Sequence, residues 1–279
     1  MYESFYGFRV KPFSLLPDPA FLYLGRQHRH ALTLLEYALQ QGTGFALISG
    51  EVGSGKTTLV RHMLARPATA VTFGYITNTR RGMAGLLPWV AHSLGIATGG
   101  LSEPQIYDAF VHRLLEEYRA GRRVVLVVDE AQNLAGDALE ELRVLSNLNA
   151  DSDLLLQTIL VGQPELRDTL RHPDLRQFAQ RIAIDYHLAT LPRADTHGYV
   201  RHRLMIAGGS PDLIAADAIE LLHARTGGVP RLINLLCDTA LVYGYAEQQR
   251  SIDAELVAQV LRDRAAGGLL APETAPIAS

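Results

Sequence analysis

The chain has one cysteine, one tryptophan and only two lysines in 279 residues. A lone cysteine, Cys237, excludes an intrachain disulfide and leaves the redox compartment unconstrained, though consistent with cytoplasm. Leu232, Ile233, Leu235, Leu236 and Ala240 surround it at helical spacing, which marks a buried structural thiol and not a nucleophile. No run approaches ~18 consecutive apolar residues, so no segment is expected to span a membrane as a helix. Met1-Tyr-Glu-Ser lacks the basic and apolar regions of a secretory leader. Net charge is only −3, which gives no global electrostatic case for nucleic acid. The ten histidines are scattered without paired metal-ligand spacing. Of the 26 basic residues all but Lys11 and Lys56 are arginine, a bias of composition that makes Lys56 stand out.

What is present begins with an ordinary balance of 48% hydrophobic and 20% charged residues, enough chain for one large domain or two smaller ones. Phe45-Ala-Leu-Ile-Ser49 is a short apolar run of β-forming residues. It leads into Gly50-Glu51-Val52-Gly53-Ser54-Gly55-Lys56-Thr57-Thr58, and helical spacing (Leu59, Val60, Met63, Leu64) follows. Strand, G-x-x-x-x-G-K-T turn and helix together form the context of a phosphate-binding P-loop, the Walker A element. The glycines let backbone N–H groups point inward, and the helix presents its positive end to the same anion. Lys56 suits the β- and γ-phosphates, and the Thr57 hydroxyl suits Mg²⁺.

Along the chain, residues 1–24 are dense in aromatics and prolines (Tyr2, Phe5, Tyr6, Phe8, Pro12, Phe13, Phe21, Tyr23) without helical or strand periodicity. They are expected as an ordered arm packed on the core, since exposed rings at this density are costly. An amphipathic helix is predicted over 26–41, ending at Gly42. Strands are predicted at 70–76, 124–128, 154–161 and 182–188 besides the P-loop strand, with helices near 81–95, 103–119 and 137–149 between them. Strands alternating with helices give an α/β fold with a doubly wound, parallel five-stranded sheet over residues 25–192. After Leu191-Pro192 only helical patterns remain, near 195–207, 215–226, 230–247 and 253–264, predicting a small all-α lid domain over 193–264. Residues 265–279, rich in Ala, Gly and Pro, read as a disordered tail.

Val124-Val-Leu-Val-Val128 is a β-branched run of the kind buried on both faces of a sheet, and it delivers Asp129-Glu130 to its C-terminal edge. This is the Walker B element. Asp129 is suited to hold Mg²⁺ through water, and Glu130 to act as general base on an attacking water. A Ras-type GTPase would not be expected to place a base here, so the pair argues for ATP.

P-loop, acidic pair and helical lid resemble the AAA+ ATPases. Phe5-Tyr-Gly-Phe8, Lys11-Pro12-Phe13, Pro17-Asp18-Pro19, Asp129-Glu-Ala-Gln132-Asn133-Leu134, Val161-Gly-Gln-Pro-Glu-Leu166 and Gly227-Gly-Val-Pro-Arg231-Leu-Ile-Asn234 resemble the ExeA/GspA family of secretion-associated ATPases. They are most like members encoded with exosortase and exopolysaccharide export loci, and the resemblance covers roughly residues 1–264. It implies that Gln163 is the sensor 1 residue, the alternative being a turn residue before Pro164. It implies that Arg231 is the sensor 2 arginine, the alternative being a solvent-exposed helix-start arginine. Arg181 resembles an arginine finger reaching a neighbouring subunit, with Arg176 as its rival. In the family pattern the arm lies near the adenine; otherwise it covers an apolar edge of the sheet.

The implied function is Mg²⁺-dependent ATP hydrolysis that drives or regulates a bacterial envelope secretion, exopolysaccharide export or protein-sorting system. The implied setting is cytoplasmic, as a homo-oligomer with a hexamer as one candidate, peripheral at the inner membrane through a partner. Relatives in secretion systems continue into a membrane span and a peptidoglycan-binding part that this sequence does not contain, which favours the exosortase and exopolysaccharide setting. The alternative is an ATP-dependent DNA-binding regulator like the TniB-type transposition ATPases. Arg80-Arg81, Arg119-Arg122-Arg123 and Arg201-Arg203 speak for it, and the charge and the lack of a basic tail speak against it.

Overall fold

The computed structural model describes residues 1–66, 70–77, 79, 85–150 and 153–266. It divides into two compact units: Arg26–Ala189, and Met1–Gly25 joined with the chain from Thr190 onward.

The first unit is the expected α/β fold. Its strands are β1 (Phe45–Gly50), β2 (Val71–Ile76), β3 (Arg123–Val128), β4 (Leu156–Gly162) and β5 (Ile182–Leu188), in the spatial order β2-β3-β4-β1-β5. Every pairing in this sheet is parallel. Burial follows position. Every residue of β1 and β4 and all of β3 beyond Arg123 are buried, whereas the edge strands β2 and β5 are half-exposed. A central parallel strand is covered on both faces and so reads as an unbroken apolar run, while an edge strand keeps alternation.

Helices α1 (Arg26–Gln41), α2 (Lys56–Leu64), α3 (Leu87–Ser93), α4 (Glu103–Arg119), α5 (Gly136–Leu145) and α6 (Pro164–Leu170) flank the sheet's strands in sequence. Their starts are tied down by side chains. The Glu141 carboxylate accepts from the N–H groups of Leu86 and Leu87, both at 2.7 Å, satisfying two orphan donors of α3. Ser102 and Gln105 form a capping box at the start of α4. Near the other end of α4, Glu117 is buried. It accepts from Arg122 at 2.6 and 3.0 Å, pairs with Arg113 at 3.1 Å and accepts from Thr72. Chiefly the Arg122 hydrogen bond holds its carboxyl down at about 2, with Thr72 and Arg113 adding to it against the cost of burial.

Two helices differ from expectation. The one expected to reach residue 149 stops at Leu145, and Asn149–Ala150 instead pairs antiparallel with Asp153–Leu154. Ser146-Asn-Leu-Asn149 explains this: short polar side chains compete for the backbone, and the Ser146 hydroxyl bonds to the Arg143 carbonyl at 2.8 Å. The helix expected over 81–95 is α3, Leu87–Ser93; Arg80 and Arg81 lie outside the described residues.

The second unit holds helices α7 (Arg193–Ile206), α8 (Ala216–Thr226), α9 (Pro230–Ala246) and α10 (Ala254–Ala266). The arm, expected as an ordered segment packed on the core, belongs to this helical unit. Tyr2, Phe8, Phe13 and Phe21 are buried in one cluster with Tyr199, Leu204, Ile233 and Leu241. The arm's backbone carbonyls explain its attachment. Arg203 Nε donates to the Pro12 carbonyl at 2.6 Å, and Asn234 Nδ2 donates to the Ser14 carbonyl at 3.3 Å. Arg203 also lies 4.8 Å from the Phe21 ring centroid and donates to the Tyr199 hydroxyl at 3.0 Å. Asp238 pairs with Lys11 at 2.8 Å and accepts from the Tyr2 hydroxyl. At Gly209 a Cβ would fall 2.2 Å from the Phe8 ring, so the ring needs a glycine there. The unit boundaries fall after Gly25 and Ala189, not after residues 24 and 192, because Leu191 is buried in the helical unit's own core. Ala265 and Ala266, expected in the tail, close α10, and 267–279 lie outside the described residues.

Candidate nucleotide site

Strand order builds the site. β4 lies between β3 and β1, with Val128 opposite Leu160 and Ser49 opposite Gly162. The C-terminal ends of β1, β3 and β4 therefore meet on one edge, and the residues that follow each strand are delivered there: Gly50–Thr58, Asp129-Glu130 and Gln163.

The P-loop needs its glycines. A Cβ at Gly50 would lie 2.5 Å from the Leu188 carbonyl oxygen and 2.9 Å from Ser54 Oγ. Gly55 has φ +99°, and a Cβ there would meet Nε2 of buried His28 at 2.9 Å. Gly55 precedes the first turn of α2 with no side-chain cap, so the N–H groups of that turn are left for another acceptor. Ser54 Oγ is buried with no hydrogen-bond partner among the described residues. Glu51 and Val52 are exposed at the tip of the loop, while Thr58 is half-buried in the first turn of α2.

Lys56 is buried, and its ammonium donates to the carbonyls of Gly50 at 2.6 Å and Glu51 at 2.9 Å. Burial pushes it below the ordinary lysine range, and the carboxylates of Glu130, Asp129 and Glu51 oppose that shift. Such a desolvated cation gains most from a phosphate oxygen brought to it.

Asp129 is the hub. One carboxylate oxygen accepts from Thr57 Oγ1 at 2.9 Å and from the Tyr75 hydroxyl at 3.0 Å; the other accepts from the Glu130 N–H at 2.9 Å. Burial first, then the Asp129 charge, pushes the Tyr75 phenol up to about 12, so it remains a donor at neutral pH. A hydroxyl and a carboxylate converging at hydrogen-bond distance are the hard oxygen donors that Mg²⁺ takes. Thr57 and Asp129 therefore fit that ion.

Glu130 sits at φ 53°, one of two non-glycine residues with positive φ among those described. The turn turns its carboxylate toward β4: Oε2 accepts from Gln132 Nε2 at 2.5 Å and from Gln163 Nε2 at 3.4 Å. Gln132 Oε1 accepts in turn from the Gln163 N–H at 3.0 Å. Thr79 Oγ1 supports the same turn through the carbonyls of Glu130 at 2.7 Å and Asp129 at 3.3 Å.

Gln132, Tyr75 and Thr79 carry no role in the sequence reading. Gln132 was visible inside the Asp129–Leu134 motif; Tyr75 and Thr79 depend on β2 lying beside β3, which spacing along the chain does not reveal.

An AAA domain family matches residues 39–170. General secretion pathway protein A of Aeromonas hydrophila is 43% identical over 255 residues, covering 90% of this chain and 46% of that protein. The chain is an AAA+ ATPase of the ExeA/GspA family. It spans about half the length of that relative. Solved structures share the fold of this ATPase at low identity. The ORC2 protein of Aeropyrum pernix matches with a TM-score of 0.70 at 18% identity, over 94% of this chain and 74% of that one. Cdc6p of Pyrobaculum aerophilum gives 0.68 at 21%, over 89% and 71%. The RuvB Holliday junction branch migration motor of Thermotoga maritima gives 0.52 at 19%, over 86% and 69%.

Two arginines of this ATPase stand apart from the P-loop edge within the α/β unit, and a third belongs to the helical unit. Arg181 immediately precedes β5, whose Ile182 pairs with Phe45 at the opposite edge of the sheet. It is exposed and donates at 3.4 Å to the Arg143 carbonyl and to Ser146 Oγ. Arg176 is exposed on the single helical turn Arg176–Ala179. Arg231 belongs to the helical unit, exposed in the first turn of α9, with no ion pair or side-chain hydrogen bond among the described residues.

Proposed function

We propose that this ATPase hydrolyses ATP to ADP and phosphate with Mg²⁺ at the C-terminal edge of the sheet. The observation that carries this reading is the convergence of Lys56, Thr57–Asp129 and Glu130–Gln163 from three adjacent strands. Lys56 and the N–H groups of the P-loop bind and neutralise the phosphates, compensating charge that develops as the phosphoryl group leaves. Mg²⁺, held by Thr57 and Asp129, would supply Lewis-acid charge at the phosphate oxygens. Glu130 accepts the proton of the attacking water, and the Gln163 amide orients that water or the γ-phosphate. Arg181, on the opposite edge, suits a trans role because it cannot serve its own subunit's P-loop from there; Arg176 remains its rival. Arg231 is free to contact nucleotide. A homo-oligomer follows from an arginine acting in trans.

Kinship with general secretion pathway protein A supports a task in envelope export. We assign hydrolysis to driving or regulating a secretion, exopolysaccharide export or protein-sorting assembly, at the inner membrane through a partner. No helix among the described residues is long and apolar enough to cross a membrane. Because the chain spans 46% of that relative, the lack of a span here does not weigh between secretin and exopolysaccharide settings.

The reading as a DNA-binding regulator loses most of its arginines to structure. Arg122 binds Glu117, Arg123 donates to the carbonyls of Leu39 and Gln40, Arg201 pairs with Asp212, and Arg203 is buried beneath the arm. The deciding experiment is Glu130→Gln. ATP affinity should persist while turnover falls ~10²–10⁴-fold with loss of the base; wild-type turnover would remove Glu130 from the mechanism.

A further inference from the structure

The helical unit carries two unpaired features of matching chemistry. One is a cavity of about 400 Å³ between α8, α9 and α10. Its floor includes Leu232, Leu235 and Leu236 of α9 and Leu261 of α10, with Leu232 still 38% exposed. Arg225, Arg262 and Arg264 also line it, and none of them has an ion pair among the described residues. No carboxylate lines the cavity. An apolar floor ringed by unpaired guanidinium groups suits an aliphatic group that arrives with negative charge beside it.

The other feature is a corner of the arm. Leu15 and Leu16 are 47% and 79% exposed, and Asp18 is exposed just beyond them. This corner is held rigidly, because the Ser14 carbonyl beside it accepts from Asn234 and the Pro12 carbonyl accepts from buried Arg203. Two consecutive aliphatic side chains presented to solvent on a fixed backbone lose little freedom on docking.

The two features face different ways. At about 100° per residue, Asn234, which holds the arm, lies roughly opposite Leu232 and Leu236, which face the cavity. One unit therefore offers a knob on one side of α9 and a socket on the other, and its own knob cannot enter its own socket. We propose that the Leu15–Leu16 corner of one copy docks in the α8–α9–α10 socket of a second copy, with Asp18 meeting the socket arginines. Such a contact is heterologous, head to tail, and propagates to a ring or a filament. It does not rest on the nucleotide site, and it adds a helical-unit contact to whatever Arg181 contributes through the α/β unit.

The test uses the full chain in sedimentation velocity across concentration and salt. Wild type should associate, and more weakly at high salt. Leu16→Glu and Leu232→Glu, both at exposed positions, should each weaken association at least about tenfold while keeping the wild-type circular dichroism and melting temperature. The decisive sample is their mixture. One variant retains an intact socket and the other an intact knob, so the pair should form a 1:1 dimer that grows no further. A wild type that stays monomeric, variants that associate like wild type, or a mixture that fails to pair would each overturn the proposal. So would gain of association on truncation after Ala266, since the socket would then belong to the chain's own Leu269–Leu270. Arg181→Ala separates the two contacts. If it abolishes association while Leu16→Glu does not, copies meet through the α/β unit alone and the socket proposal fails.

Discussion

The two units hold their key groups by different means. In the α/β unit the residues of the nucleotide edge sit near or just beyond the C-terminal ends of strands, and their partners are set by which strand lies next to which. In the helical unit the ties run between groups 191 to 236 residues apart: Arg203 to Pro12, Asn234 to Ser14, Tyr2 to Asp238. The α/β site is thus a set of local motifs brought into register by a sheet. The helical core is one folded object made from the two ends of the chain. Damage should therefore be chemical in the first and structural in the second.

The sharpest test of that contrast is Lys56→Ala, which should lower ATP turnover at least about a hundredfold by removing the buried cation. Nucleotide binding should fall with it, measurable by titration, and the melting temperature should hold or rise. A large loss of stability would break the comparison. Next in size is Arg203→Ala, which leaves the arm's carbonyls and the Phe21 and Tyr199 rings without their partner. About 3 kcal/mol of stability should be lost in urea unfolding, with residues 1–24 opened to proteolysis.

A structural exception inside the α/β unit sharpens the point. Glu117, far from the nucleotide edge, has its carboxyl held below the unfolded value of 4.5, at about 2. A depressed carboxyl contributes stability that is complete above the unfolded value and is lost as pH falls toward the folded one. Acid unfolding between pH 4.5 and 2 should therefore be less steep in Glu117→Gln, which starts from lower stability at neutral pH. The smallest effect is expected from Tyr75→Phe. Loss of one hydrogen bond to Asp129, about 1 kcal/mol, should raise the Mg²⁺ needed for half-maximal turnover about fivefold while leaving saturating turnover intact.

The same contrast explains what could be read from the sequence. Gly50–Thr58 and Val124–Glu130 are contiguous, and the physics of each is contained in its own few residues, so loop, strand and carboxylates were all legible. The unbroken β-branched run of Val124–Val128 also announced a strand buried on both faces. The clamp Glu130–Gln132–Gln163 was only half legible: its residues stand in recognised motifs, but their meeting depends on β4 lying between β3 and β1. The arm's aromatic density announced that it must be buried without saying against what. The choice fell to Arg203 near the end of α7 and Asn234 near the start of α9. In the sequence Arg203 stands in the basic pair Arg201-Arg203, and nothing in the helix's own residues says that its guanidinium turns inward.

The discontinuity of the helical unit also bears on how the protein is made. Phe8, Phe13 and Phe21 leave the ribosome before their partners on α7 to α10, which arrive only after the whole α/β unit has been synthesised. At ~5–20 residues per second that delay is on the order of ten to fifty seconds. For that interval a nascent chain carries a run of unburied rings ahead of a domain that is already able to fold. The arm is therefore the segment most in need of shelter during synthesis, although in the finished molecule it is among the most firmly held.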